Sequence, residues 1–144
     1  MHKFQFSVEL GIMDNLIEEK FVKNFIIKDK RERILHELSS TKKRKLAVQR
    51  LYSLLDNKFA VMESSKIGEE EIISAIKKYF NVNKDCYVIA DGNDDRETMP
   101  FKVALKNMLE YEMNYVIICD ENTIIAGEEY NTYCSPSKMI LHKN

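Results

Sequence analysis

Two apolar runs decide the fold of this chain: Cys86-Tyr-Val-Ile-Ala90 and Tyr115-Val-Ile-Ile-Cys119. Neither run contains a charged side chain, which is typical of strands buried on both faces. Between them, residues 99–112 carry apolar side chains at helical spacing, with Pro100 in the first turn, where its missing N–H costs little. A strand, a helix and a strand of these lengths predict a βαβ unit with parallel strands and a right-handed crossover.

Further strands are expected after this unit. Asp120-Glu121-Asn122 is typical of a turn, and it leads into Thr123–Ala126, which we interpret as the second strand of a hairpin. The segment from Lys138 to His142 is expected to add a final short strand. These elements together predict a mixed sheet with a C-terminal βαβ-hairpin unit.

The first half of the chain is dominated by helical patterns. Residues 3–10 alternate polar and apolar side chains, which predicts a half-buried strand before the helices begin. Helices are predicted from Asp14 or Asn15 to about residue 26, over residues 29–39 and 42–55, and from Glu69 to Phe80. We expect an α/β or α+β fold in which the N-terminal helices pack on the sheet.

The length of 144 residues fits one domain covering residues 1–144. Within it we distinguish a helix-rich basic N-terminal half, about residues 12–56, from an acidic βαββ part, about residues 86–142. No apolar run approaches the roughly 20 residues of a membrane helix, and the alternating N-terminus does not resemble a signal peptide. With three cysteines, an odd number, free thiols are favoured over a disulfide framework, so we expect a cytoplasmic protein without membrane contact.

Charge is divided unevenly along the chain. From Lys28 to Arg50 there are nine basic and three acidic side chains, a net charge of +6. From Glu69 to Glu129 there are fourteen acidic and six basic side chains, a net charge of −8. Such asymmetry favours recognition of a charged partner.

An acidic loop follows the first apolar run, and it is the candidate metal site. If the two runs are parallel strands, then Asp91, Asp94 and Asp95 lie near Asp120 at one edge of the sheet, where α/β proteins bind ligands. Clustered carboxylates suit Mg²⁺ or Ca²⁺, although Arg96 stands where a calcium loop needs Gly. The competing interpretation is a solvated loop. No cofactor is required by any motif.

A basic helical face is the candidate partner-binding or phosphate-binding site. Its cations are Lys42, Lys43, Lys45 and Arg50, and Leu46 is an apolar exception among them. Such a face can neutralise phosphates, but the sequence pI of about 6.3 is low for a nucleic-acid-binding domain. The competing interpretation is a hydrated outer helix face.

The thiols offer no clear catalytic pair. Cys86 and Cys119 lie within the apolar runs, where cysteine behaves as a small hydrophobe, whereas Cys134 lies in a polar loop and is the candidate reactive thiol. None of the histidines is spaced locally with a cysteine for nucleophilic catalysis or zinc binding.

Three functions therefore remain open. The first is a non-catalytic protein-interaction module, of the inhibitor or immunity type, that presents a charged surface to another protein. The second is a divalent-metal-dependent enzyme acting on a phosphorylated or nucleotide substrate, with Arg96 or Lys102 meeting the phosphate. The third is nucleic-acid binding through the Lys28–Arg50 segment. We expect the first.

Overall fold

A six-stranded antiparallel sheet forms the centre of the molecule. The structure, a computed structural model, describes residues 2–129 and 137–144, with side chains from residue 11 onward. The strands in these ranges are β1 (Ala60–Ser64), β2 (Asp85–Ala90), β3 (Thr98–Pro100), β4 (Tyr115–Asp120), β5 (Thr123–Gly127) and β6 (Lys138–His142). The helices are α1 (His2–Phe25), α2 (Arg31–Ser39), α3 (Arg44–Leu54), α4 (Glu69–Ile76) and α5 (Phe101–Tyr111). The strand order is β1-β6-β5-β4-β2-β3.

Helices cover both faces of this sheet. On β2, Tyr87 and Ile89 face the core shared with α1, α2 and α3, whereas Val88 and Ala90 face the core shared with α4 and α5. Successive strand residues point to opposite faces, so a strand covered on both sides carries apolar side chains continuously. The predicted α+β class, with N-terminal helices packed on a sheet, is confirmed.

The predicted parallel pairing of the two apolar runs is wrong. β2 and β4 pair antiparallel, with Tyr87 opposite Ile118 and Ala90 opposite Tyr115. The reason is β3, which forms a short hairpin with β2 and returns the chain to the start of that strand. There the backbone N–H of Phe101 donates to the carbonyl of Lys84, and α5 then carries the chain back before β4 begins. Because β3 reverses the chain once more, β4 runs antiparallel to β2 instead of parallel to it.

The predicted strand over residues 3–10 is also wrong, because these residues form the first turns of α1. Helix propagation needs only one further hydrogen bond per residue once a nucleus exists, so a helix nucleated further along can extend through this segment. Gly11 interrupts the pattern, but a single glycine costs only about 1 kcal/mol in a helix.

The remaining elements lie close to the positions predicted from the sequence. β5 and β6 lie where the hairpin strand and final strand were predicted, and α2, α3 and α5 lie inside their predicted ranges. α4 ends at Ile76, four residues earlier than predicted. Over the described ranges, the helices lack a stretch that is both long and apolar enough to cross a bilayer.

Candidate functional site

A buried ion cluster joins the helical layer to the acidic loop. Arg44 on α3 and Glu18 on α1 are only 7% and 4% exposed. The Arg44 guanidinium donates to both oxygens of Glu18 at 2.6 and 2.7 Å, and to both oxygens of Asp95 at 2.7 and 2.9 Å. It also donates to the carbonyl of Leu38 at 3.0 Å. All five N–H groups of the guanidinium are thereby used.

Tyr87 completes the cluster from the sheet. Its hydroxyl donates to Glu18 Oε2 at 2.5 Å, and burial followed by the Glu18 charge raises the pKa of this phenol far above its ordinary value. Burial alone would lower the pKa of Arg44, but the hydrogen bonds with Asp95 and Glu18 outweigh it and raise that pKa. We call Glu18, Arg44, Tyr87 and Asp95 the Arg44 cluster. The raised pKa values of Arg44 and Tyr87 keep both groups protonated near neutral pH, as expected of structural rather than reactive groups.

Each aspartate of the acidic loop accepts hydrogen bonds from a different set of partners. Asp95 binds Arg44 and also accepts from the backbone N–H of Ala90 at 3.1 Å. Asp94 accepts from the Tyr115 hydroxyl at 2.6 Å and from the Asn107 amide at 2.9 Å. Asp91 accepts from Gln49 on α3 at 3.2 Å. These three carboxylates therefore stabilise the loop itself.

The fourth predicted metal ligand is elsewhere. Asp91 lies beside Asn114 where β4 begins, whereas Asp120 is the last residue of β4. Because β2 and β4 are antiparallel, the two residues lie at opposite ends of the strand pair. In the described part of the chain, no three His, Cys, Asp or Glu side chains are grouped as a metal site requires. The structure does not bring Asp91, Asp94, Asp95 and Asp120 together.

The predicted basic face is exposed on the outer side of α3. Lys42, Lys43 and Lys45 are exposed, and their ammonium groups form no hydrogen bond or ion pair with the described residues. Arg50 is also exposed but pairs with Glu37, which binds Arg33 at 2.8 Å as well. The hydrogen bond with Arg33 is the largest cause that lowers the pKa of Glu37. Three cations on this face are therefore without an ion-pair partner among the described residues, although Lys43 lies close enough to Glu37 to help lower the pKa of that carboxyl.

Leu46 lies among these cations. Its side chain is 64% exposed, the largest value among the large hydrophobic side chains whose surroundings are described. Lys43 and Arg50, three residues before it and four after it, are its neighbours on a helical surface. We call Lys42, Lys43, Lys45, Leu46 and Arg50 the α3 face. It combines positive charge with an apolar centre.

The basic and acidic parts of the chain are partly paired with each other in the structure. Arg44 and Gln49 bring the acidic loop directly onto the basic helix, so part of the opposite charge is paired across this contact. Glu69, Glu70 and Glu71 begin α4, which covers the other side of the sheet. The exposed cations of the α3 face therefore remain separate from these three acids.

Two of the thiols are structural. Cys86 and Cys119 are buried and free. Burial, and then the charge of Asp85, raises the pKa of Cys86 to about 12, and burial also raises that of Cys119. A thiol in this state is a poor nucleophile, because the thiolate is the reactive form. The candidate reactive thiol, Cys134, lies outside the described residues.

Sequence reasoning missed the Arg44 cluster, although a signal was present. At 100° per residue, Arg44 lies on the same side of its helix as Val48 and Leu51, which are buried. Glu18 lies in the same way beside Phe21 and Val22 on α1. Opposite charges on two apolar stripes predict a buried pair, since neither can be buried alone without a large cost.

Comparison with protein families, curated proteins and solved structures returns no match to this chain.

Proposed function

We propose that this protein is a non-catalytic protein-interaction module that binds an acidic protein through the α3 face. One observation carries this proposal: Leu46, 64% exposed, lies among cations of which Lys42, Lys43 and Lys45 are not paired with described residues. An exposed apolar side chain within a charged surface suits a protein interface, where a central apolar contact supplies affinity and the charged surroundings speed association. An inhibitor or immunity-type role needs no more than such a surface.

The chemistry of this face favours protein over nucleic acid. Aromatic side chains that stack on bases are the usual companions of cations in single-strand binding. The exposed large side chain on the α3 face is an aliphatic leucine. Tyr52, the aromatic residue of α3, is half-buried and donates to Glu63 at 3.3 Å, away from the cations.

The Arg44 cluster supports this role by holding the face rigid. It ties α3 to α1 through Glu18 and to the acidic loop through Asp95. A surface that is already ordered loses less conformational entropy when it binds. We therefore expect little backbone movement in α3 on association.

Matched variants test the proposal. Affinity capture from cells that produce the protein naturally is compared for wild type, Leu46→Asp, the triple variant Lys42→Glu/Lys43→Glu/Lys45→Glu, and the control Val103→Asp, an exposed position on α5. We expect one stoichiometric acidic partner, retained by the control. We expect Leu46→Asp to weaken its binding at least roughly tenfold, because burying a leucine contributes about 1.5–3 kcal/mol. The triple variant should mainly slow association, and added salt should do the same.

Two results would contradict the proposal. The first is the absence of any partner that distinguishes wild type from Leu46→Asp. The second is salt-dependent binding of a random-sequence DNA or RNA probe that the triple variant loses and Leu46→Asp retains, because nucleic-acid binding would then explain the cations without the leucine. Hydrogen exchange of the complex gives an independent check, since the partner should protect α3 amides.

A further inference from the structure

A second surface feature is a cavity of about 390 Å³ between α1 and the β2–β4 strand pair. No residue of the α3 face lines it. Its apolar lining comes from one side of α1, with Met13, Leu16, Ile17, Phe21 and Phe25, and from Tyr87 and Ile118 on the facing strands. Small-molecule sites are commonly apolar clefts of about 300–1,000 Å³, so this cavity has the size and lining of a ligand site.

Apolar side chains are left exposed at this cavity. Met13 and Leu16 line it and are 57% and 51% exposed, and Ile12 beside them is 56% exposed. Further along the same helix, Phe21 and Phe25 are buried. The apolar surface therefore runs from the core out to solvent, and adjoining exposed apolar side chains of this kind mark a surface that a ligand covers.

The polar residues at the cavity carry an excess of negative charge. The charged ones are Asp85, Asp120, Glu121 and Lys20, of which Lys20 pairs with Glu121 at 2.6 Å. Neither Asp85 nor Asp120 has an ion-pair partner among the described residues. One Asp120 oxygen accepts from the backbone N–H of Asn122 at 2.8 Å, which leaves its negative charge uncompensated.

The two aspartates line the same cavity. Asp85 is the first residue of β2 and Asp120 is the last residue of β4, and these two strands are antiparallel neighbours in the sheet. Two carboxylates at one cavity repel each other. A bound cation would relieve that repulsion, so the charges at the cavity favour a cationic ligand over an anionic one.

We propose that this cavity binds a small amphiphile with an apolar body and a cationic head, such as an alkyl or aryl amine. The body lies against Met13, Leu16 and Ile17, and the head lies between Asp85 and Asp120. This site is independent of the proposed protein interface, so either can fail without the other.

The test uses octyltrimethylammonium and octyl sulfate as probes, each below its micelle concentration. Binding is followed by NMR on protein labelled at the methionine methyl groups, where Met13 reports the cavity and buried Met139 reports the core. We expect saturable shifts of Met13 with the ammonium probe, an unchanged Met139 signal, and affinity at least roughly tenfold weaker for the sulfate.

Variants locate the site. Asp85→Asn/Asp120→Asn should raise the dissociation constant of octyltrimethylammonium roughly tenfold. The control Glu110→Gln/Glu112→Gln removes the same charge from the exposed end of α5 and should leave it within about twofold. Leu16→Arg, at a position that is 51% exposed, should abolish the Met13 shift.

Three outcomes would overturn the proposal. Equal affinity for both probes would remove the role of the aspartates. Parallel shifts of Met13 and Met139 would mean that the probe loosens the whole protein. Binding of a basic amphipathic peptide at Met13 without binding of the ammonium probe would assign the cavity to a macromolecular partner instead.

Discussion

At the scale of the residue, Arg44 joins three parts of the fold through five side-chain hydrogen bonds, to Glu18, Leu38 and Asp95. It compensates two carboxylates, Glu18 and Asp95, and both are largely withdrawn from water. A buried ion pair adds little net stability relative to an apolar substitute, but removing one member leaves the other uncompensated. Substituting a member of the Arg44 cluster should therefore destabilise the fold much more than substituting one of the lysines near it.

Arg44→Met should lower the free energy of unfolding by about 3–5 kcal/mol, because Glu18 would remain as a buried carboxylate, and Asp95 as a partly buried one, without a cationic partner. Arg44→Lys should also be destabilising, since an ammonium cannot bind both carboxylates in a bidentate manner. Urea unfolding measures both. The adjacent, exposed Lys45→Met is the control and should change stability by less than about 0.5 kcal/mol. A loss below about 1 kcal/mol in Arg44→Met would show that the cluster is not a structural requirement.

The raised pKa of Cys86 predicts that the free energy of unfolding decreases at alkaline pH. Burial and the Asp85 charge raise its pKa from 9.0 to about 12, so the unfolded chain releases this proton first. The contribution is intact below pH 9 and is lost as pH rises toward 12. Between pH 8.5 and 10.5, wild type should lose about 1–2 kcal/mol more than Cys86→Ala, measured by urea unfolding in reductant. Identical losses would mean that the thiol does not stay protonated in the fold.

At the scale of the element, α5 ends in an unfavourable conformation. Glu112, which follows its last residue, has φ of 48° and ψ of 42°, the left-handed region that favours glycine. Glu112→Gly should raise the free energy of unfolding by about 0.5–1 kcal/mol. Thermal unfolding checks this, with Glu110→Gly inside the helix as a control that should destabilise by a similar amount. A lower melting temperature for Glu112→Gly would contradict the prediction.

Element identity could be predicted from the sequence more fully than element direction. The apolar runs of β2 and β4 and the stripe of α5 were visible in local periodicity, because each is buried on the expected side. β3 has only three residues and carries no pattern of its own, yet it reverses β4. The acidic loop was likewise seen, but its carboxylates bind Arg44, Tyr115 and Asn107, contacts that depend on tertiary packing. The prediction of a shared metal site assumed parallel strands, whereas the antiparallel pairing places Asp120 at the other end of the strand pair from Asp91.

At the scale of the whole molecule, a small net charge conceals a charged surface. The formal charge is −1, yet the α3 face presents three exposed cations that form no ion pair with the described residues. Local potential, rather than net charge, governs how a protein approaches a charged partner. The molecule should therefore behave as a cation when it can orient this face toward a surface.

The cationic behaviour of the α3 face can be measured without a binding partner. At pH 7.5 and low salt, wild type should be retained on a sulfonate column, and Lys42→Glu/Lys43→Glu/Lys45→Glu should elute with the void volume. The control Lys77→Glu/Lys102→Glu/Lys106→Glu changes net charge equally at exposed positions on or beside α4 and α5. It should be retained more strongly than the α3-face variant. Equal elution of the two variants would show that position does not matter.

The position of β6 has a consequence for how the protein is made. This strand comes latest among the described elements, yet it lies inside the sheet, between β5 and β1. While a ribosome is still adding residues before 138, β1 has no neighbour within the sheet and β5 exposes one edge. The nascent chain must hold these edges apart from other chains until β6 emerges, which makes late synthesis the stage most vulnerable to aggregation.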